Sequence, residues 1–213
     1  MPDLTFQIRG VTAPPHAAAP LLLFRLQVHN TPEAESIHTV ILQCQIQIES
    51  VKRQYTPTEK ENLRDLFGEP ERWGQTLRKQ LWTHTQVNVP AFQGSVTLDM
   101  PVACTYDLNV VGAKYFYGLE DGEIPLLFLF SGTIFYKAAD GRLQVAQVSW
   151  NSEASFRLPL TVWQEMIENY YPNTAWLSLH RDVFDRLYRY KQRLGLTSWE
   201  HAIERLLPGE LEA

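Results

Sequence analysis

The chain has 213 residues, 45% of them hydrophobic, and carries 24 acidic against 19 basic side chains for a formal net charge of -5. That length suits one generous domain, or one domain with a large insertion, and the apolar fraction is enough for a core. The acidic balance speaks against a nucleic-acid partner, which would need a basic footprint to neutralise phosphates.

Phe6 and Ile8 alternate with Thr5, Gln7 and Arg9, the pattern of a strand with one dry side. A proline- and alanine-rich connector follows at 13–20. Phe24, Leu26 and Val28 then alternate with Arg25, Gln27 and His29 until Asn30-Thr31-Pro32 breaks the run. From Val40 to Glu49 the alternation is almost without error, with Val40, Leu42, Cys44, Ile46 and Ile48 on one face and Gln43, Gln45, Gln47 and Glu49 on the other. Sheets covered on both sides lose this alternation, so an antiparallel sheet with a solvated face is predicted.

Thr56-Pro57-Thr58-Glu59 has the form of a capping box with proline at the first helical position, and Gly68 and Pro70 end the short helix it starts. Strands are read again from Leu81 to Val110, through Val87 and Val89, then Val96, Leu98 and Met100, then Val102, Cys104, Tyr106 and Leu108. Asp121-Gly122 and Asp140-Gly141 are turn signals, the second inside a hairpin. The apolar run from Ile124 to Tyr136 is interrupted by Ser131, Gly132 and Thr133 and falls short of the roughly 20 residues a bilayer span needs. It reads as a buried strand, and no membrane span is expected.

After Pro159 the period changes from two to 3.6. Thr161 with Gln164 opens one helix, striped by Val162, Trp163, Met166, Ile167 and Tyr170. Val183, Leu187, Tyr190 and Leu194 stripe a second helix that Gly195 terminates, and Thr197 with Glu200 caps a third that runs to Pro208. Strands first and helices last is the signature of an α+β fold: an antiparallel β-sheet with three C-terminal helices packed on one face. The domain reading is a single α+β domain over 1–213, with the helical part at 160–208.

The stretches Leu66-Phe67-Gly68-Glu69-Pro70-Glu71-Arg72-Trp73, Cys104-Thr105-Tyr106-Asp107, Lys114-Tyr115-Phe116 and Pro125 to Thr133, continuing through Tyr190-Lys191 and Trp199-Glu200, resemble an uncharacterised bacterial domain family. Its members are often encoded in nickel-iron hydrogenase gene clusters beside maturation factors, so the resemblance implies an accessory role with hydrogenase subunits or maturation factors as partners. A weaker likeness runs to the SecB-type export chaperones through Tyr171-Pro172, Leu177, Leu179, Phe184 and Leu187-Tyr188. That likeness would make 55–123 an insertion and leaves oligomeric state open, a homo-oligomer included. An immunoglobulin-like sandwich explains the strand pattern as an alternative.

Chemistry-bearing residues are sparse. Cys44 and Cys104 fall at inward positions of strands, where cysteine acts as a small hydrophobe, and neither Cys-x-x-Cys nor His-x-x-x-His spacing occurs, so no metal and no cofactor are assigned. Two such thiols and an N-terminus, Met1-Pro2-Asp3, without the basic-then-apolar order of a signal peptide point to the cytoplasm. Cys104, His84 and Asp107 are the residues a small hydrolase site would have to use. Glu120, Asp121 and Glu123 cluster at a turn, read as solvated acid before cation site. Arg186, Arg189 and Arg193 recur at helical spacing, read as opposite the apolar stripe: a wet helix face, or a basic one for an acidic partner or for RNA. Trp73, Trp82, Phe92, Tyr115, Phe116 and Tyr117 concentrate rings in the middle third; most are expected in the core, and they are also the candidate binding residues, as an exposed anchor set for another protein. The sequence thus predicts a non-catalytic, chaperone-like accessory protein that binds another protein.

Overall fold

A computed structural model of the chain describes residues 1–104, 110–138, 140–174 and 179–207, with the backbone alone at 110–113. Tyr106, Asp107, Leu108, Leu177 and Pro208, all used in the sequence reading, lie outside the described residues. Two compact units divide the chain, 1–172 and 173–213.

The first unit contains β1 (Asp3–Thr12), β2 (Leu21–Thr31), β3 (Ser36–Ile48), β4 (Gln80–Val89), β5 (Phe92–Gln93), β6 (Ser95–Ala103), β7 (Glu123–Lys137), β8 (Leu143–Gln147) and β9 (Glu153–Pro159). Every ladder is antiparallel. One sheet has the order β1-β2-β6; the other runs β4-β3-β7-β8, with β5 also on β3 and β9 also on β7. β7 holds β9 along its first half and β8 along its second, on the side away from β3. The 55–123 segment supplies β4, β5 and β6, and so contributes strands to both sheets.

The dry sides of the two sheets face each other. Phe6 of β1 stacks on Phe130 of β7 at 4.4 Å between ring centroids, and Phe24 of β2 meets Phe128 edge-on at 5.1 Å. Leu22, Phe24, Leu26 and Val28 from one sheet and Val40, Leu42, Ile46 and Phe128 from the other have no exposed surface. Burying each such side chain is worth roughly 1.5–3 kcal/mol. The period-two runs therefore make a two-sheet sandwich, the second of the two arrangements the strand pattern allowed.

Two irregularities shape the six-stranded sheet. Between Ile46 and Gln47 the register on β4 jumps from Thr83 to Leu81, leaving Trp82 as the extra residue of a β-bulge. The bulge lets Trp82 and Thr83, neighbours in the chain, both be buried, with the Trp82 indole against Phe24 and Phe116. At Gly132 of β7 a Cβ would run into the Ile41 carbonyl oxygen of β3, so only glycine fits this crossing.

α1 (Pro57–Asn62) forms as predicted, with both halves of the Thr56–Glu59 capping box in place. α2 (Arg64–Phe67) continues it until Gly68, at φ 75°, turns the chain into a 3₁₀ turn and α3 (Trp73–Thr76). The extended reading up to Val110 ends there, because α4 (Val110–Tyr117) is a helix. α5 (Leu160–Tyr170) starts directly at the end of β9 without a side-chain cap, so the Thr161–Gln164 box is not formed. Its Tyr170 hydroxyl donates to the Ala17 carbonyl at 2.8 Å and pins the 13–20 connector.

The second unit spans 173–213. It holds α6 (Arg181–Arg193) and α7 (Trp199–Glu204), so of the three expected C-terminal helices α5 belongs to the first unit and these two to the second. α6 ends in a Schellman motif, with Gly195 N–H on the Gln192 carbonyl and Leu196 N–H on that of Lys191. Ser198, one residue after the expected Thr197, caps α7 by accepting from the His201 N–H at 3.1 Å.

Candidate binding surfaces

The aromatic middle segment is mostly interior. Tyr115 and Phe116 are buried next to each other because α4 turns each residue by about 100°, letting neighbours share a face that an extended chain would split. Tyr115 meets Phe67 at 6.0 Å, Phe116 meets Trp82 at 5.4 Å and Trp163 of α5 at 4.9 Å, and Trp73 packs between Tyr55 and Phe67. The Trp73 indole N–H donates to the Gly68 carbonyl at 2.9 Å. Four of the six candidate rings, Trp73, Trp82, Tyr115 and Phe116, thus weld the helices of the segment to the sandwich instead of offering anchors. Phe92 is half-buried, and Tyr117 alone of the six is exposed.

Beside these rings lies a buried polar knot. Arg53 pairs with the buried Glu59 at 2.6 Å and donates to the carbonyls of Glu123 at 2.6 Å and Asp121 at 2.5 Å. Glu59 also accepts from the backbone N–H of Thr56 and of Glu120. The acidic turn is therefore held by one arginine. Glu120 accepts from the Thr56 hydroxyl and Asp121 from the Gly122 N–H, and among the described residues no three acidic, cysteine or histidine groups converge as a metal site would need. The Tyr55 hydroxyl donates to the Ser50 carbonyl at 2.7 Å, leaving Tyr115 to donate to Tyr55 at 2.8 Å; burial pushes the Tyr55 phenol up to about 12 and that of Tyr115 upward too. Glu49 moves the other way: burial opposes its charge, but Lys52 at 2.7 Å and Lys79 at 2.8 Å outweigh it and hold the carboxyl below its ordinary range.

Cys104 and Cys44 are free, buried thiols, each pushed up to about 12 by burial. His84 stands on the solvent face of β4, opposite Gln45, while Cys44 and Cys104 point into the sandwich. With Cys104 buried and His84 facing solvent, the two are not arranged as a catalytic pair.

What the pattern reading passed over is the solvent face of the six-stranded sheet. The registers put Ile41, Phe135, Leu143 and Val145 on this face, Phe135 directly opposite Val145. Ile41 is 41% exposed, Leu143 56% and Val145 57%. Beside them, Trp150 in the turn before β9 is 95% exposed and edges a shallow hollow with Gln43, Gln45, His84, Gln86 and Ser131. The signal was present: Val40-Ile41-Leu42 is three apolar residues in a row, so in an alternating strand the middle one must face water.

Two of the α6 arginines, Arg186 and Arg193, do not lie opposite its apolar stripe. Three residues advance a helix by about 300°, which sets Arg186 and Arg193 on the stripe's shoulder, and both share a groove with Val183, Leu187 and Leu206.

Among solved structures, the chain is similar to a CARDB domain from Pyrococcus furiosus at 12% identity and a TM-score of 0.26, over 75% of this chain and 94% of that one. It is also similar to an ApaA protein from Bordetella pertussis, at 13% identity and a TM-score of 0.24 over 74% and 93% of the two chains. β-Glucosidase 3B from Thermotoga neapolitana follows at 14% identity and 0.23, over 72% of this chain and 16% of the enzyme. No match is found among curated proteins. Over its whole length, residues 1–213, the chain belongs to the family of unknown function DUF6084.

Proposed function

We propose that this protein is a non-catalytic accessory factor that grips another protein through the solvent face of its six-stranded sheet. The observation carrying this reading is the row Ile41, Phe135, Val145 and Leu143, apolar side chains set outward on a sheet whose inner face is already filled. Each could have been polar at no cost to the core. Trp150 adds the kind of large, amphipathic ring that dominates binding energy when a partner covers it. The face carries few charges, so an apolar protein surface suits it better than a polyanion. Two buried, unpaired thiols are in keeping with a reducing cytoplasm. Through the resemblance to hydrogenase-cluster proteins, hydrogenase subunits and maturation factors are the first partners to try, in a chaperone-like assembly role.

The test is a pull-down from the native host under reducing conditions, with the wild-type chain beside Ile41→Glu/Val145→Glu, both checked for equal unfolding midpoints. A defined partner held by the wild type and released by the double variant supports the reading. Retention by the variant moves the interface elsewhere, and turnover of a small metabolite abolished by Cys104→Ser would overturn the non-catalytic assignment.

A further inference from the structure

The second unit carries a feature that the sheet face does not explain. α6 has 13 residues and buries none of them. Val183 is exposed and Leu206 more so, and these two with Leu187 floor a groove of about 830 Å³ whose wall is Arg186, Arg189 and Arg193. The other shoulder of the helix is occupied internally: Phe184 and Tyr188 pack on Trp199, and Lys191 sits over the same indole at 5.5 Å. The three arginines are different. Arg189 donates to the Asp185 carbonyl within its own helix at 3.1 Å, and among the described residues none of the three has a carboxylate at ion-pair distance. α6 itself supplies four arginines and a lysine against two aspartates, inside a chain of net charge -5.

We propose that this groove receives an acidic amphipathic helix from a partner protein, its apolar ridge on Val183, Leu187 and Leu206 and its carboxylates on Arg186, Arg189 and Arg193. The proposal stands on α6 and its neighbours and does not depend on the sheet platform. Arg186 and Arg193 are two turns apart, about 10 Å along the axis. Glutamates seven residues apart on a facing helix have the same spacing, and guanidinium forks pair bidentately with carboxylates. A concave, apolar-floored groove takes the ridge of another helix, the way amphipathic ligands dock into helical surfaces. RNA and an anionic bilayer fit less well, because the overall negative charge of the chain opposes a polyanion at long range and neither presents an apolar ridge.

The probe is a fluorescently labelled synthetic 18-residue helix with a leucine stripe flanked by glutamates at seven-residue spacing, titrated with the full chain and read by anisotropy. Saturable binding is expected, weakened at least tenfold by Arg186→Glu/Arg193→Glu and recovered when lysines replace the peptide glutamates against that variant. Leu187→Ala should weaken binding without changing which peptide is preferred. Helix content by circular dichroism keeps the variants comparable. No saturable binding by the wild type, equal binding of the glutamate and lysine peptides, or indifference to the charge reversal overturns the proposal. So does stronger binding to phosphatidylglycerol vesicles or a single-stranded RNA oligonucleotide, which would hand the groove to a different macromolecule.

Discussion

β3 and α6 are both 13 residues long and both amphipathic, yet β3 buries Ile37, Val40, Leu42, Cys44, Ile46 and Ile48 while α6 buries nothing. The apolar side chains are comparable; the surroundings are not. β3 is flanked by β4 and β7 and faced by a second sheet, so each dry residue meets a layer. Among the described residues of its unit, α6 has one short helix for company. Periodicity announces that a face wants covering, and only topology says whether the chain covers it itself. Where it does, stability results; where it does not, a surface is left for something else.

The largest effect belongs to the polar knot: Glu59→Ala leaves Arg53 buried without its carboxylate and should cost about 3–5 kcal/mol, read as a drop in the urea midpoint of the first unit. Next comes the direct contrast. Leu42→Ala on β3 should cost about 2–5 kcal/mol through the cavity it leaves. Leu187→Ala on α6 should cost less than about 0.5 kcal/mol by amide exchange across that helix. Equal costs would mean that α6 is covered after all, and the distinction drawn between the two elements would collapse.

Gly132→Ala should destabilise by about 1–3 kcal/mol, because β3 and β7 must separate to admit a methyl group. A neutral result would show that the strands can part there without loss. The pH dependence is gentler. Cys44 and Cys104 have folded pKa values near 12, above the ordinary thiol, so their stabilising contribution is complete below the unfolded pKa and is lost as pH rises from about 9 toward 12. By pH 10, one unit above the ordinary thiol value of 9.0, the loss should be about 1–2 kcal/mol per thiol. Cys44→Ala should flatten the alkaline limb of a midpoint-against-pH curve, and a limb of unchanged slope would show that the thiol is not the group being titrated.

The sandwich was readable wherever one side of a strand is wet. β2 and β3 alternate cleanly, and the Thr56 box and the Gly195 stop are local motifs that carry their own geometry. α4 was not readable, since valines and aromatics favour a strand in isolation and only tertiary packing of Tyr115 and Phe116 makes the helix worthwhile. Arg53 and Glu59 gave no sign of pairing because nothing in the spacing says that both leave water. Burial places Trp73 and Trp82 inside, whereas Ile41, flanked by the inward Val40 and Leu42, and Trp150 are exposed.

The extra residue in β4 ties chain length to ring orientation. Shortening β4 by one position between Gln80 and Thr83 would restore an unbroken ladder with β3, and hydrogen bonding alone would register an improvement. The indole of Trp82 would nevertheless lose its inward berth beside Phe24 and Phe116. Such a deletion would yield a protein with every strand paired and a hole at its centre, intact to a probe of backbone and damaged to a probe of tryptophan fluorescence.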